Sequence, residues 1–262
     1  MSWIPLASRL GLEIALGYLV FLRILGPAPV GRFFYRLTGG TAVVAALLAG
    51  LLDLVEVLQR GEARTGDALR LASLAVLVLV SGLVLSGKPR RRRRGLAAGI
   101  AALGLSLAVR AFDGGFGAGQ LAADLAGAAV AGGSCFAMVF GHGYLTVPRL
   151  PLEHLQRIQR ALEIALILRT GLSLLFLGLA WEAVRAPDAW GRPGPGMAGW
   201  LDLGVRYGAG LFLPLLLSRM TGSSLRYRNT QSATGILYAM TIMVWIGEAL
   251  ALHLERQWGT PL

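Results

Sequence analysis

The sequence predicts an all-α, polytopic transmembrane helical bundle of about eight spans, with both termini on the outer side. Of the 262 residues, 55% are hydrophobic and 15% are charged, whereas a soluble domain carries about 25% charged residues. Mean hydropathy is +0.62, and several apolar runs reach the roughly 20 residues that cross a bilayer as a helix. This composition excludes a soluble enzyme and a disordered protein, and the single cysteine excludes a disulfide scaffold.

The spans follow from apolar runs that end at charged residues or at Gly/Pro clusters. Eight such runs form one predicted membrane domain over residues 1–262: about 4–25, 37–58, 68–87, 95–111, 121–141, 157–181, 199–218 and 231–254. The fourth run is short and rich in Gly and Ala, so it has the weakest transmembrane pattern.

The orientation follows from the charges of the connecting loops. The loops after spans 1, 3, 5 and 7 carry fifteen Arg and Lys residues and one acid, whereas the other three loops carry six Arg and five acids. Because cytoplasmic loops are enriched in Arg and Lys, the first set is expected in the cytoplasm and the chain in the cytoplasmic membrane. The formal charge of +11 therefore indicates anionic lipids at the inner face, within the lipid bilayer, and not nucleic acid. Partner subunits and a homo-oligomer both stay open.

Ionisable side chains inside spans are expensive to bury and are functional candidates by default. The candidates are Glu13, Asp53, Glu56, Asp124, Glu163, Arg169, Asp202, Arg206 and Glu248. Six of the seven acids lie in the outer halves of their spans. The spacings i, i+4 of Arg9–Glu13 and of Asp202–Arg206 predict local ion pairs. The other outer acids are expected to line a water-filled vestibule, to pair with arginines of other helices, or to be solvated residues near span ends.

A second set of candidates lies at the inner ends of spans 5 and 8. These residues are His142, Tyr144, Arg149, Arg226 and Arg228. Glycines on both sides of His142 leave its backbone open to close approach, and arginines beside a helix N-terminus favour an anion. One interpretation is a shared site for an anionic or quinone-like ligand. The other is contact of the arginines with lipid headgroups.

The histidines do not predict a cofactor or a metal site. His142 and His253 end different spans on opposite sides, so they cannot hold one haem. A metal site built from His142 and His154 would lack a third ligand beyond Glu153, and we expect no metal and no cofactor of the chain's own.

Three functions fit these patterns. The first is a small transporter or ion-conducting subunit that uses the intramembrane charges. The second is a membrane anchor of a redox complex with a quinone-like site near His142. The third is a lipid-headgroup-active enzyme, which the lack of an acid–base or nucleophile constellation disfavours. The chain alone is therefore not expected to be an enzyme.

Overall fold

The computed structural model describes residues 3–26, 31–61, 65–86, 88–113, 117–147, 150–185 and 196–262. These residues are helical apart from short turns, and no strand occurs among them. The helices of this part of the chain are α1 (Ile4–Leu25), α2 (Arg32–Arg60), α3 (Thr65–Val84), α4 (Pro89–Asp113), α5 (Gly117–Thr146), α6 (Leu152–Arg185), α7 (Gly196–Tyr207), α8 (Leu213–Arg226) and α9 (Thr230–Trp258). A π-helical turn over Gly208–Phe212 joins α7 to α8.

Seven helical segments within the described ranges are long and apolar enough to cross a membrane. They are α1, α2, α4, α5, most of α6, the continuous rod from Gly196 to Arg226, and α9. This architecture indicates a multi-pass integral membrane protein. The prediction that the fourth span is the weakest was wrong, because the apolar stretch of α4 is more hydrophobic than those of α1 and α5. The 20-residue α3 is the helix that falls outside the seven.

Helix α1 lies at the centre of the bundle and packs against α2, α4 and α5. A Cβ atom on Gly17 would clash with the main chain of α5 at Ala128, so the backbones of α1 and α5 are in direct contact. Small residues permit this approach in membrane proteins. Tyr18 packs edge-on against Phe136 of α5 and helps to fill the apolar core on the other side of this contact.

Side-chain contacts show which helix ends meet. Arg110 near the end of α4 contacts Asp53 near the end of α2 and Ser8 near the start of α1. Arg9 contacts Asp124 near the start of α5 and Glu255 near the end of α9. We call the end of the bundle where these charged side chains meet the cluster end. The opposite ends of α1 and α4, with Arg23 and the arginines at 90–94, form the basic end.

Candidate functional site

Five helices bring seven charged side chains together in the interior of the cluster end. This central charge cluster consists of Arg9 and Glu13 of α1, Asp124 of α5, Arg169 of α6, Arg206 of α7, and Glu248 and Glu255 of α9. All seven are buried or nearly so. Their helices also present them in register, because residues four or seven apart lie on one helix face.

Glu248 lies between two guanidinium groups. Arg169 donates from Nε to both carboxylate oxygens at 3.2 Å and from Nη2 to Oε2 at 2.9 Å. Arg206 donates from Nη1 to Oε1 at 3.0 Å. Both arginines also donate to the main-chain oxygen of Leu262, at 2.8 Å and 3.2 Å. One carboxylate is therefore fixed by charge-assisted hydrogen bonds from two different helices.

Arg9 connects the other acids of the central charge cluster. Its Nη1 and Nη2 atoms donate to Glu255 at 2.5 Å and 2.9 Å, and Nη2 also contacts Asp124. Gln120 donates to both of these carboxylates, at 2.8 Å and 2.9 Å. Arg9 reaches Glu13 only at 3.5 Å. Arg9 therefore makes its short contacts with Glu255 and Asp124, and its contact with Glu13 is weaker.

Glu13 is the least compensated acid of the cluster. It is buried, and its Oε2 atom has no hydrogen-bond partner among the described residues. Its Oε2 and the Oε2 of Glu248 each lie 3.0 Å from the point that a Cβ atom on Gly127 would occupy. The two oxygens are therefore within about 6 Å of each other, and a glycine leaves the space between them open. Two acids this close disfavour simultaneous ionisation.

The rod that carries Arg206 is irregular beside the cluster. The π-helical turn starts two residues after Arg206, and a Cβ atom on Gly210 would lie 2.5 Å from the Cα of Gly247 on α9. The backbones of the two helices thus touch one residue before Glu248. Single π-helical turns of this kind occur often at functional sites.

A second group of charges flanks the central one at the same end. Asp53 accepts hydrogen bonds from Ser8 and Arg110. Arg70 and Arg60 pair with Asp67, and Arg60 also pairs with Glu56 at 2.5 Å. We call these residues the flanking charge cluster. Its three acids are matched by three arginines, so its charges balance.

The other acids predicted as candidates lie outside the central charge cluster. The local pair expected between Asp202 and Arg206 does not form, because the Arg206 guanidinium is turned toward Glu248. Asp202 instead lies 4.0 Å from the His253 imidazole. Glu163 pairs with Arg219 of α8, whose side chain is largely exposed.

In the part of the chain that the structure describes, the inner-face candidates make their hydrogen bonds with other residues and not with one another. The Nδ1 atom of His142 lies 3.4 Å from the hydroxyl of Tyr238, and the Tyr144 hydroxyl donates to the carbonyl of Pro151 at 2.6 Å. No hydrogen bond or ion pair joins His142 to Arg226 or Arg228 there. Arg149 lies outside the described residues.

A side chain of the protein itself caps the N-terminus of α9. Asn229 caps it by accepting a hydrogen bond from the backbone N–H of Ser232 at 2.9 Å. A cavity between α8 and α9 is lined by Ser223, Tyr227 and Asn229 among others, and neither His142 nor the two arginines line it.

Sequence reasoning missed Glu255, Gln120 and Arg110 as site residues. Gln120 precedes Asp124 by four positions and Glu255 follows Glu248 by seven, so each shares a helix face with a predicted candidate. A search for polar residues at these helical spacings would have found Gln120 and Glu255. Arg110 shares its helix with no predicted candidate, so spacing does not point to it.

Within the described ranges, no group of three or more His, Cys, Asp or Glu residues is arranged to hold a metal ion. No protein-family model matches the chain, and no curated protein is significantly similar to it.

Proposed function

We propose that this multi-pass membrane protein is a small ion-conducting or transport protein of the cytoplasmic membrane, and that it moves protons through the central charge cluster. One observation carries the proposal: the buried cluster contains four acids and only three arginines.

The flanking charge cluster does not share this charge imbalance. Buried ion pairs that serve only to hold helices together are expected to balance, because an uncompensated charge in the membrane interior is strongly unfavourable. The flanking charge cluster follows this rule. The central cluster departs from it by one carboxylate. A bound proton neutralises that excess, and reversible loss of the proton is the elementary step of proton transfer.

Glu13 is the acid that would carry the proton. Its single ion pair is the longest in the central charge cluster, and its Oε2 atom has no partner among the described residues. A protonated Glu13 would have an O–H donor facing the space near Gly127, toward Glu248. Glu248 in turn already receives hydrogen bonds from Arg169 and Arg206, so it is better stabilised as the anion.

The location and backbone of the site fit transport. Arg169 and Glu13 lie near the middle of α6 and α1, so the central charge cluster extends from the cluster end toward the centre of the bundle. Transporter sites are formed beside irregular helices. The π-helical turn after Arg206 is such an irregularity. It gives the rod a second hydrogen-bonding arrangement close to the cluster, through which Arg206 could shift against Glu248.

We further propose eight crossings with both termini outside. Arg110 contacts Asp53, so the C-terminal parts of α2 and α4 lie at one end. The chain must therefore return between them, and the 20 residues of α3 rise about 30 Å as a helix, which is the thickness of the hydrocarbon core. The concentration of arginines at the opposite end supports a cytoplasmic basic end.

Proton movement is tested with the purified protein in liposomes that contain a pH-sensitive dye. A potassium gradient with valinomycin sets an inside-negative potential, and the rate of lumen acidification is measured. We expect wild-type vesicles to acidify several-fold faster than empty ones. Glu13→Gln, which keeps the shape and removes the acid, should reduce the rate to that of empty vesicles.

Glu163→Gln is the matched control, because it removes an acid of the half-exposed Glu163–Arg219 pair. Its rate should equal that of the wild type. A wild-type rate no higher than that of empty vesicles would overturn the proposal, and so would a Glu13→Gln protein with the wild-type rate.

A further inference from the structure

A pocket opens at the basic end of the bundle, between the last turn of α1 and the first turn of α4. Its volume is about 270 Å³. The side chains used in the argument are Arg23, Arg90, Arg92 and Arg93, with Leu22 and Leu96. None of the described residues that line it is acidic.

Helix geometry selects which arginines of the run at 90–94 face this pocket. Residues three and four apart share a face of a helix, so Arg92 and Arg93 lie on the side of Pro89 and Leu96, toward α1. Arg91 and Arg94 do not line the pocket. The run is therefore divided into a pocket-lining set and a set of the same chemistry outside the pocket.

One arginine of the pocket is held in place before any ligand binds. The guanidinium carbon of Arg92 lies 3.5 Å from the centroid of the Tyr35 ring, which is a cation–π contact. The Tyr35 hydroxyl donates to the carbonyl of Gly26 at 2.8 Å, and Gly26 itself lines the pocket. The aromatic ring thus fixes both the arginine and the end of α1.

We propose that this pocket binds the headgroup of an anionic phospholipid. Arginine forks match phosphate oxygens and donate in pairs, and the positive N-terminal end of α4 adds to the attraction. The pocket lies at the ends of two helices that are long and apolar enough to span a membrane, which is the level of the headgroups. Basic pockets between membrane helices take anionic headgroups in this way.

The arginines alone would also bind free phosphate. The apolar side chains of the pocket distinguish a lipid headgroup from a free anion. Leu22 and Leu96 line the pocket beside the arginines. Free phosphate gains nothing from these side chains, whereas the first methylene groups of an acyl chain bury against them. We therefore assign the pocket to a lipid.

The test uses the full chain in a neutral detergent, titrated with phosphatidylglycerol or with phosphatidylcholine of the same acyl chains. Native mass spectrometry counts the bound lipids. We expect phosphatidylglycerol to bind about tenfold more tightly than phosphatidylcholine. Arg90→Gln/Arg93→Gln should weaken phosphatidylglycerol binding by about tenfold, since two charge-assisted contacts are lost. Both side chains are exposed, so the fold should be unaffected.

Arg91→Gln/Arg94→Gln is the matched control, because it removes the same charge from the same helix outside the pocket. Its phosphatidylglycerol affinity should stay within about twofold of the wild type. An equal loss in the two double variants would show diffuse attraction and overturn the proposal. Displacement of the lipid by millimolar inorganic phosphate would also overturn it, in favour of a free anion.

Discussion

Arg206 and Glu248 form an ion pair of 3.0 Å between α7 and α9, and neither side chain is more than 1% exposed. Arg206 is the largest of the fully buried side chains in the described part of the protein. A guanidinium in this position is stable only because Glu248 and the oxygen of Leu262 accept its hydrogen bonds. The pair therefore couples the rod that contains the π-helical turn to α9.

Removing the Arg206 charge should destabilise the protein strongly. Arg206→Gln leaves Glu248 with Arg169 as its remaining cation, and breaking a buried pair by removing one partner costs about 3–5 kcal/mol. The free energy of unfolding in mixed detergent micelles should fall by about that amount. Arg219→Gln, in a largely exposed pair, should change it by at most about 1 kcal/mol. Similar values for both would contradict the role of the buried pair.

A methyl group at Gly127 should disturb the two acids without removing either. The Cβ atom of Gly127→Ala would lie 3.0 Å from the Oε2 atoms of both Glu13 and Glu248, which is closer than ordinary van der Waals contact. We expect proton flux in liposomes to fall by at least about threefold, because the acids must move apart. Gly222→Ala meets open space and should leave the flux unchanged. An unaltered flux in Gly127→Ala would show that the gap between the acids is not used.

The sequence predicted the membrane fold well and the pairing of charges in part. The local pair Arg9–Glu13 forms at 3.5 Å, and pairing of an acid with arginines of other helices, one of the open alternatives, is what Glu248 shows. Within the described residues, each of the eight apolar runs coincides for most of its length with helix, because burial of the backbone in lipid requires helices whatever the side chains do. The partners of Arg206 could not be predicted from spacing. Asp202 is its neighbour four residues away, yet Arg206 pairs with Glu248 across helices, and the choice between local and distant partners depends on the tertiary packing of the rod against α9.

The contact between the rod of α7 and α8 and helix α9 should not tolerate a side chain larger than hydrogen at Gly247. A Cβ atom on Gly247 would clash with the backbone of Gly210, and overpacking of this kind typically costs about 1–3 kcal/mol. Gly247→Ala should lower the free energy of unfolding accordingly. Gly235→Ala lies on the same helix in open space and should stabilise slightly, since alanine is the better helix former. Equal effects of the two substitutions would argue against close backbone contact.

Reporter fusions test the proposed eight crossings. A fusion at Arg92 should report the cytoplasm, because the segment 88–94 holds six Arg and Lys residues and no acid. A fusion at Gly194 should report the outside. A cytoplasmic signal from Gly194 would mean that the number of crossings between the two positions is even. If α3 crosses the membrane from the outside to the cytoplasm, a further fusion at Gly61 should report the outside. A cytoplasmic signal from Gly61 would rule out this crossing.

The protonation state of Glu13 is the most direct test of the proton-carrying cluster. Infrared difference spectra of the purified protein at neutral pH, wild type minus variant, separate protonated carboxyl groups from carboxylates by their C=O stretching bands. We predict that the Glu13→Gln difference shows loss of a carboxylic-acid band, and that the Glu163→Gln difference shows loss of carboxylate bands only. If Glu13→Gln removes carboxylate bands and leaves the carboxylic-acid region unchanged, Glu13 is ionised and is not the acid that carries the proton, which contradicts the account.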